Sequence, residues 1–259
     1  MNDGSTQWRK QRISDAFGAA AGHYDVHAGP QRMAATRVAD LAARQRPDDV
    51  ARILEIGCGT GFLTRDIQAR WPDAELIATD ISPGMLAQAA SHGPIAGRFM
   101  TMDGEAPTFD GPRFDLILSS LTFQWFDDLN GAIARLVALL RPGGSLIFST
   151  MGRGSFARWR AAHRACGLMA GVPDYPSLDG VQAMLARYPD GAVFEQDCPL
   201  DGGGARALIA HLKGIGAVVP DAGRKPLAPA DLRRVMAAFE AGGGTDGYQI
   251  LFARVTRPV

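Results

Sequence analysis

The chain has 259 residues, of which 46% are hydrophobic and 21% are charged, a composition typical of a soluble globular protein. Lysine and arginine together number 27, as do aspartate and glutamate, so the zero net charge argues against a dedicated nucleic-acid or membrane-surface binder. Only three of the 27 basic residues are lysines. The arginine excess indicates either a compositional bias or recognition of carboxylates and phosphates, and composition alone favours the bias.

Cysteine usage and hydropathy indicate the compartment. Cys58, Cys166 and Cys198 are too sparse for a disulfide framework and form no CxxC pair or metal-binding cluster. No segment reaches the ~18 apolar residues of a membrane-spanning helix, and residues 1–12 lack the apolar core of a signal peptide. We therefore expect reduced thiols, no metal, no membrane partner and a cytoplasmic location.

Helical and extended patterns alternate along the first 150 residues. After a polar stretch at 1–7 that we expect to be disordered, apolar spacing predicts two helices within residues 9–46, the second closed by Pro47, Asp48 and Asp49. Further patterns predict strands over 52–56, 75–79, 98–101, 114–119 and 145–150, and helices over 62–70, 83–91 and 129–140. Ser82 is the expected N-cap of the helix that starts at Pro83.

The remaining residues predict a covering region and a final hairpin. Helical patterns lie at 155–168, 178–188, 206–214 and 229–241, and strand patterns lie at 192–196 and 248–255. We expect an α/β fold with a doubly wound, mostly parallel seven-stranded sheet, completed by an antiparallel hairpin. One domain, 1–259, would comprise N-terminal cover helices (9–46), a ligand-binding core (51–150), substrate-side helices (151–241) and a C-terminal strand (245–257). The helices would cover the carboxyl edge, where open α/β sheets bind ligands.

A glycine-rich turn is the strongest local motif. Residues 54–61 read LEIGCGTG between a predicted strand and a predicted helix, and Asp80 ends the next strand about 20 residues later. Glycines permit a tight turn and close approach of a ligand, and a carboxylate at Asp80 can accept hydrogen bonds from ribose hydroxyls. The spacing is GxGxG, with Phe62 where a nicotinamide fingerprint has its last glycine, and there is no phosphate-binding P-loop.

With Glu55 two residues before its first glycine, this loop resembles that of class I methyltransferases, which bind S-adenosylmethionine. Residues 102–105 (MDGE), the FDLI strand and the LRPGG turn at 140–144 carry the same resemblance. It implies that Asp80 holds the ribose, Ile81 packs on adenine, Asp103 receives the adenine amino group and Glu55 orients the methionine end. The implied cofactor-binding residues are Glu55, Gly57, Cys58, Gly59, Gly61, Asp80, Ile81, Met102, Asp103, Gly104 and Ser119.

A narrower resemblance concerns the methyl acceptor. Residues 13–24 (ISDAFGAAAGHY), followed by Gln31 and Arg32, resemble the N-terminal signature of the malonyl-carrier-protein O-methyltransferases of biotin synthesis (the BioC family). The segments SSLTFQW (119–125), Ser149-Thr150, LKGIGA (212–217) and YQI (248–250) also match. The resemblance spans most of the chain and implies methyl transfer to the free carboxylate of a malonyl group on acyl carrier protein or coenzyme A.

The resemblance and the predicted edge of the sheet suggest a catalytic set. It consists of Tyr24, Gln124, Trp125, Ser149 and, as a possible carboxylate partner, Arg153. No general base is required, because a carboxylate is already ionised at pH 7. Simpler interpretations remain: Tyr24 as a core tyrosine, Gln124 and Trp125 as packing residues, and Arg153 as a solvated loop residue.

An acidic carrier protein would require local positive charge. The candidates are Arg153, Arg158, Arg160 and Arg164, with Arg224, Lys225, Arg233 and Arg234 as a second group, although such runs are often only solvated faces. Two other functions remain open: methylation of a small free dicarboxylic acid, and a methyltransferase-like complex-assembly factor or protein arginine hydroxylase. In the assembly factors and hydroxylases we expect histidine at the position of Gln124. Glutamine at this position and the intact AAAGHYD segment therefore favour the malonyl acceptor.

Overall fold

Seven strands form one mixed sheet in the described residues, 3–45, 50–200, 203–217 and 227–259 of the computed structural model. The sheet order is β3-β2-β1-β4-β5-β7-β6. The strands are β1 Arg52–Ile56, β2 Glu75–Asp80, β3 Gly97–Thr101, β4 Phe114–Ser119, β5 Leu140–Met151, β6 Ala192–Pro199 and β7 Gly247–Thr256. Strands β1 to β5 pair in parallel, whereas β7 is antiparallel to β5 and β6. The predicted fold class, including the closing hairpin, is confirmed.

Helices follow most strands and lie on both faces of the sheet. They are α1 Asp3–Ala20, α2 Tyr24–His27, α3 Gly29–Gln45, α4 Phe62–Arg70, α5 Pro83–Ser91, α6 Leu129–Leu139, α7 Ala157–Ala165, α8 Leu178–Leu185, α9 Gly204–Gly214 and α10 Pro229–Ala241. A 3₁₀ turn, Phe123–Trp125, follows β4. No helix in the described ranges is both long enough and apolar enough to cross a bilayer.

Neighbouring residues of the central strands pack into different apolar clusters, because side chains alternate along a strand. Ile53 and Leu116 belong to the cluster that contains residues of α3 and α4. Leu54 and Ile117 belong to the cluster that contains residues of α6 and α8. The sheet therefore has a core on each face, as a doubly wound sheet requires.

The order of the strands reverses between β1 and β4. Strands β2 and β3 lie on one side of β1, and β4 and β5 lie on the other. The connections after β1 and β4 consequently diverge and leave a crevice at the carboxyl edge of the sheet. This topology places the glycine-rich turn, Asp80 and the residues after β4 around one opening.

Two predicted starts differ most from the structure, those of the first helix and of the fifth strand. Helix α1 begins at Asp3, so the residues expected to be disordered are helical from that point. Arg9 pairs with Asp127 at 2.6 Å and so anchors the helix, although Gly4 and Thr6 before it have weak helix propensity. Strand β5 begins at Leu140 rather than 145, because Leu140 already pairs with Phe114 before a register shift. The predicted end of α3 at residues 46–49 lies outside the described residues.

Candidate active site

Two adjoining clefts lie at the carboxyl edge of the sheet. The first cleft is bounded by the ends of β1, β2 and β4 and by side chains of α1 and α3. The second is bounded by residues 171–175, the end of α9 and the start of β7. Five residues line both: Phe17, Tyr24, Gln31, Leu121 and Trp125. The predicted site residues that line the first cleft are Tyr24, Glu55, Gly57, Cys58, Gly59, Asp80, Ile81, Met102, Asp103, Gly104 and Trp125.

The glycine-rich turn forms one wall of the first cleft. Gly57, Gly59 and Gly61 have φ values of 67°, 55° and 90°, a region that favours glycine. A Cβ on Gly57 would lie 2.1 Å from Thr122 Oγ1, whereas a Cβ on Gly59 would meet nothing within 4 Å. The turn is therefore tightly packed behind Gly57 and open on the cleft side of Gly59, where a ligand can approach the backbone.

The Asp80 carboxylate is buried and held by the backbone. Oδ2 accepts a hydrogen bond from the Gly59 amide at 2.9 Å, and Oδ1 accepts one from the Ser82 amide at 2.8 Å. Burial raises the pKa of Asp80 to about 6, although these hydrogen bonds act in the opposite direction. Each carboxylate oxygen has a second lone pair, so Asp80 can accept two more hydrogen bonds from neighbouring hydroxyls.

Glu55 is a buried acid with one unpaired oxygen. Its Oε2 accepts a hydrogen bond from Thr64 Oγ1 at 2.6 Å, whereas Oε1 is buried with no hydrogen-bond partner among the described residues. Burial raises the pKa of Glu55 to about 8, the Thr64 hydrogen bond opposes this shift and the Asp80 charge adds to it. An unpaired buried oxygen is costly, so this end of the cleft is suited to a cationic group.

Helix α1 covers the other end of the first cleft. Lys10 Nζ lies 2.6 Å from Asp103 Oδ2 and 2.7 Å from Glu105 Oε2. Ser14 Oγ donates to the Ile81 carbonyl at 3.1 Å. Sequence reasoning assigned Asp103 and Ile81 to the adenine but missed Lys10, because a single lysine on a polar helix carries no motif. The cover helix is thus attached to the two residues expected at the adenine end.

Aromatic side chains form the wall that separates the two clefts. Phe17 packs edge-on against Trp125, with ring centroids 5.4 Å apart, and against Tyr24 at 6.4 Å. Burial, with the Asp80 and Asp25 charges, raises the pKa of Tyr24 far above its usual value. Tyr24 therefore stays protonated at neutral pH and can donate a hydrogen bond where the clefts meet.

Five predicted site residues do not line the first cleft. Gln124 lines the second cleft, and its side-chain amide donates to the Leu121 carbonyl. Ser149 Oγ accepts from the Leu121 amide at 3.0 Å, and Ser119 Oγ donates to the Ile56 carbonyl at 2.7 Å. These three residues hold the segment after β4 in place. The other two are Gly61, which precedes the first residue of α4, and Arg153, which is exposed.

The arginines expected to dock a carrier protein differ in their surroundings. Arg160 donates to the Pro173 carbonyl at 2.6 Å and so holds the rim of the second cleft. Arg158 donates to Thr245 Oγ1 at 2.9 Å, and Arg164 is exposed on α7. Arg224 and Lys225 lie outside the described residues. Arg153 and Arg164 are both exposed, and neither side chain has a hydrogen bond or ion pair among the described residues.

Comparison with known proteins identifies the family. A profile for a methyltransferase domain matches residues 53–144. A malonyl-[acyl-carrier protein] O-methyltransferase of Magnetococcus marinus is 37% identical over 257 residues, covering 96% of this chain and 93% of that protein. The chain belongs to the malonyl-[acyl-carrier protein] O-methyltransferase family. A biotin biosynthesis bifunctional protein BioCD of Bordetella avium is 41% identical over 246 residues, and this chain spans about half of its length, 52%.

Solved structures confirm the fold of this methyltransferase family member. The YcgJ protein of Bacillus subtilis matches with a TM-score of 0.61 at 16% identity, covering 86% of this chain and 99% of that one. A Haemonchus contortus phosphoethanolamine N-methyltransferase 2, in complex with S-adenosyl-L-methionine, matches with a TM-score of 0.60 at 15% identity, covering 93% and 57%. The resemblance to methyltransferases stated from the glycine loop is therefore confirmed at the level of family and fold.

Proposed function

We propose that this chain transfers a methyl group from S-adenosylmethionine to the free carboxylate of a malonyl thioester on acyl carrier protein, an early step of biotin synthesis. The observation that carries the proposal is the pair of clefts joined at Tyr24 and Trp125. One cleft has buried acids for a cationic nucleoside, and the other is mostly apolar. Family membership supports the same reaction.

The first cleft fits S-adenosylmethionine. The unpaired Glu55 Oε1 would meet the ammonium group, and the remaining lone pairs of Asp80 would accept the ribose hydroxyls. Ile81 and Asp103, to which the resemblance assigns the adenine, both line this cleft, and Lys10 of the cover helix pairs with Asp103. When bound, the cofactor supplies a methyl group on a positively charged sulfur.

The protein has to position the acceptor and exclude water rather than remove a proton. The malonyl carboxylate is ionised at neutral pH, so its oxygen attacks directly, a C–O bond forms and the C–S bond breaks with its electrons left on sulfur. Tyr24 would donate a hydrogen bond to the acceptor at the junction of the clefts. Phe17 and Trp125 would keep water out and align the reacting groups.

The lining of the second cleft favours a thioester over a free dicarboxylic acid. Its described residues include no arginine or lysine, and Arg153, expected as the carboxylate partner, is exposed outside it. A free dicarboxylic acid would bring a second carboxylate into this apolar space, and Arg160, the cation at its rim, already donates to the Pro173 carbonyl. A thioester is neutral at that end, so the lining supports a carrier protein or coenzyme A as the partner.

A cytoplasmic location is part of the proposal. Cys58 and Cys166 are not in disulfides in the described structure, which is compatible with a reducing compartment. The exposed Arg164 would contribute to docking of the acidic carrier.

The reaction can be tested by intact mass spectrometry. The enzyme and S-adenosylmethionine are incubated separately with malonyl-carrier protein, carrier protein without malonyl, malonyl-coenzyme A and free malonate. We expect the mass gain of one methylene on malonyl-carrier protein and none on the unloaded carrier. A gain on malonate alone would reject the thioester acceptor, and no gain on any acceptor would overturn the proposed function.

Substitution of Tyr24 by phenylalanine tests its role at the junction. The ring contact with Phe17 is retained and the hydroxyl donor is lost. A hydrogen bond to a charged group contributes roughly 1.5–3 kcal/mol, so we expect kcat to fall by about 10- to 100-fold. The dissociation constant for S-adenosylmethionine should stay unchanged. Tyr188→Phe, outside both clefts, is the matched control, and equal losses of turnover, affinity and thermal stability in Tyr24→Phe would indicate a folding role instead.

A further inference from the structure

Gln31 is a buried polar residue that the mechanism above does not use. It lies in the first turns of α3 with 9% of its surface exposed, and it lines both clefts. Its Oε1 has no hydrogen-bond partner among the described residues. An amide placed this way between two apolar and aromatic walls is unfavourable in the free protein, which indicates that a bound ligand satisfies it.

A hydrogen-bonded relay holds the Gln31 side chain. Tyr248, at the start of β7, is 3% exposed, and its Oη lies 2.7 Å from His211 Nε2 on α9. Burial raises the pKa of Tyr248 well above its usual value, and a side-chain hydrogen bond from Gln31 opposes that shift. The relay therefore runs from His211 through Tyr248 to Gln31, from α9 to the junction of the two clefts.

The direction of this relay follows from His211. Burial and the nearby His27 lower the pKa of His211, so we take the ring as neutral, and a neutral imidazole has one nitrogen that donates and one that accepts. We assign Nε2 as the accepting nitrogen, so that the Tyr248 hydroxyl donates a hydrogen bond to it at 2.7 Å. The Tyr248 oxygen in turn accepts from the Gln31 amide nitrogen, because two facing acceptors would repel.

This orientation leaves two groups of Gln31 available at the junction: its second N–H and its carbonyl oxygen. We propose that Gln31 binds the methyl acceptor, with this N–H donating to the acceptor carboxylate and the carbonyl facing the positively charged methyl donor. Tyr248 and His211 are positioning residues that act through Gln31. This inference rests on the proposed function, since it names how the malonyl carboxylate is held.

Steady-state kinetics with malonyl-carrier protein test the contact itself. Gln31→Met removes the amide at similar volume, and we expect kcat/KM to fall by about 10- to 100-fold, the value of a hydrogen bond to a charged group. Gln31→Glu replaces the N–H donor with a like charge, so its loss should be larger. The dissociation constant of S-adenosylmethionine, measured by calorimetry, should change by less than kcat/KM in Gln31→Met, because the cofactor loses only the carbonyl contact, and it should not rise in Gln31→Glu. Gln88→Met on α5, which lines neither cleft, is the control.

Double substitution tests the relay. If Tyr248 acts through Gln31, the variant that combines Tyr248→Phe with Gln31→Met should be no slower than Gln31→Met alone. His211→Gln keeps an acceptor for the Tyr248 hydroxyl and should retain more activity than His211→Leu. Additive losses in the double variant, or equal losses in the two His211 variants, would overturn the relay. Each variant is first checked for an unchanged thermal unfolding midpoint.

The outcomes separate this inference from the proposed function. A wild-type enzyme that methylates malonyl-carrier protein while Gln31→Met retains full kcat/KM would overturn the inference and leave the function standing. A wild-type enzyme that transfers no methyl group to any malonyl acceptor would overturn both. Loss of kcat/KM in Gln31→Met that exceeds any loss of affinity for S-adenosylmethionine would support both.

Discussion

Replacing Asp80 with asparagine is expected to weaken S-adenosylmethionine binding by about 100- to 10,000-fold. The carboxylate is positioned to accept two hydroxyl hydrogen bonds, and each charge-assisted bond contributes roughly 1.5–3 kcal/mol. An asparagine NH₂ would also face the backbone amide of Gly59 or Ser82, since both Asp80 oxygens already accept from these donors. Two donors facing each other cannot bond, so the glycine-rich turn would lose one of its supports.

Calorimetry of cofactor binding and urea unfolding of the free protein measure these two effects separately. Asp73→Asn is the matched control, because Asp73 is an exposed aspartate near the start of β2. The unfolding free energy of Asp80→Asn should fall by about 1–3 kcal/mol, the cost of an unpaired buried donor. Unchanged affinity for S-adenosylmethionine would refute the assignment of Asp80 to the ribose, whatever the stability result.

The central part of the fold could be predicted from local sequence because each element has its own start and stop signals. Strand β1, helix α4 and strand β4 have the predicted bounds. Their apolar runs are short and are bounded by glycine, proline or charged residues. The spacing of the apolar residues and the residues that favour turns therefore predict the same bounds. Ser82 shows the limit of this reasoning: it is at the N-cap position, but its side chain makes no capping hydrogen bond.

The site was less predictable, because several of its contacts join residues that are distant in sequence. Lys10 reaches Asp103, in the turn after β3, from helix α1, and nothing in the local sequence of either residue indicates the pair. Ser149 lies at the end of β5 as expected, yet its hydroxyl faces the Leu121 amide instead of a cleft. Strand position fixes which edge of the sheet a residue occupies, whereas the atoms that its side chain meets depend on the segments packed against that strand.

The unpaired oxygen of Glu55 leads to the second large effect. In the free protein the pKa of Glu55 is raised to about 8, above the ordinary 4.5 that applies in the unfolded chain. Unfolding at a pH between these two pKa values therefore releases a proton from Glu55. As a result, Glu55 lowers the stability of the free protein progressively as the pH rises from about 4.5 to 8. Glu55→Gln should remove that dependence and raise the unfolding free energy of the free protein near pH 7 by about 1–3 kcal/mol.

Cofactor binding should respond to the same substitution in the opposite direction. An ammonium group beside Oε1 favours the ionised carboxylate, so the wild-type protein should release up to one proton for each S-adenosylmethionine bound at about pH 6.5, where an α-amino group is already protonated. Glu55→Gln should release only the minor fraction of a proton that Asp80, with its pKa of about 6, still holds at that pH. It should bind the cofactor about 100-fold more weakly or worse, since one partner of a buried ion pair is removed.

Titration calorimetry in two buffers of different ionisation enthalpy gives the number of protons released. Glu75→Gln is the control, because the Glu75 side chain is 41% exposed and pairs with Arg52 at the surface. It should leave proton release and affinity unchanged. A Glu55→Gln variant that is more stable when free and weaker in binding would show that the acid destabilises the free fold and is retained for the cofactor. Tight binding by Glu55→Gln, or wild-type binding without proton release, would place the ammonium group elsewhere in the cleft.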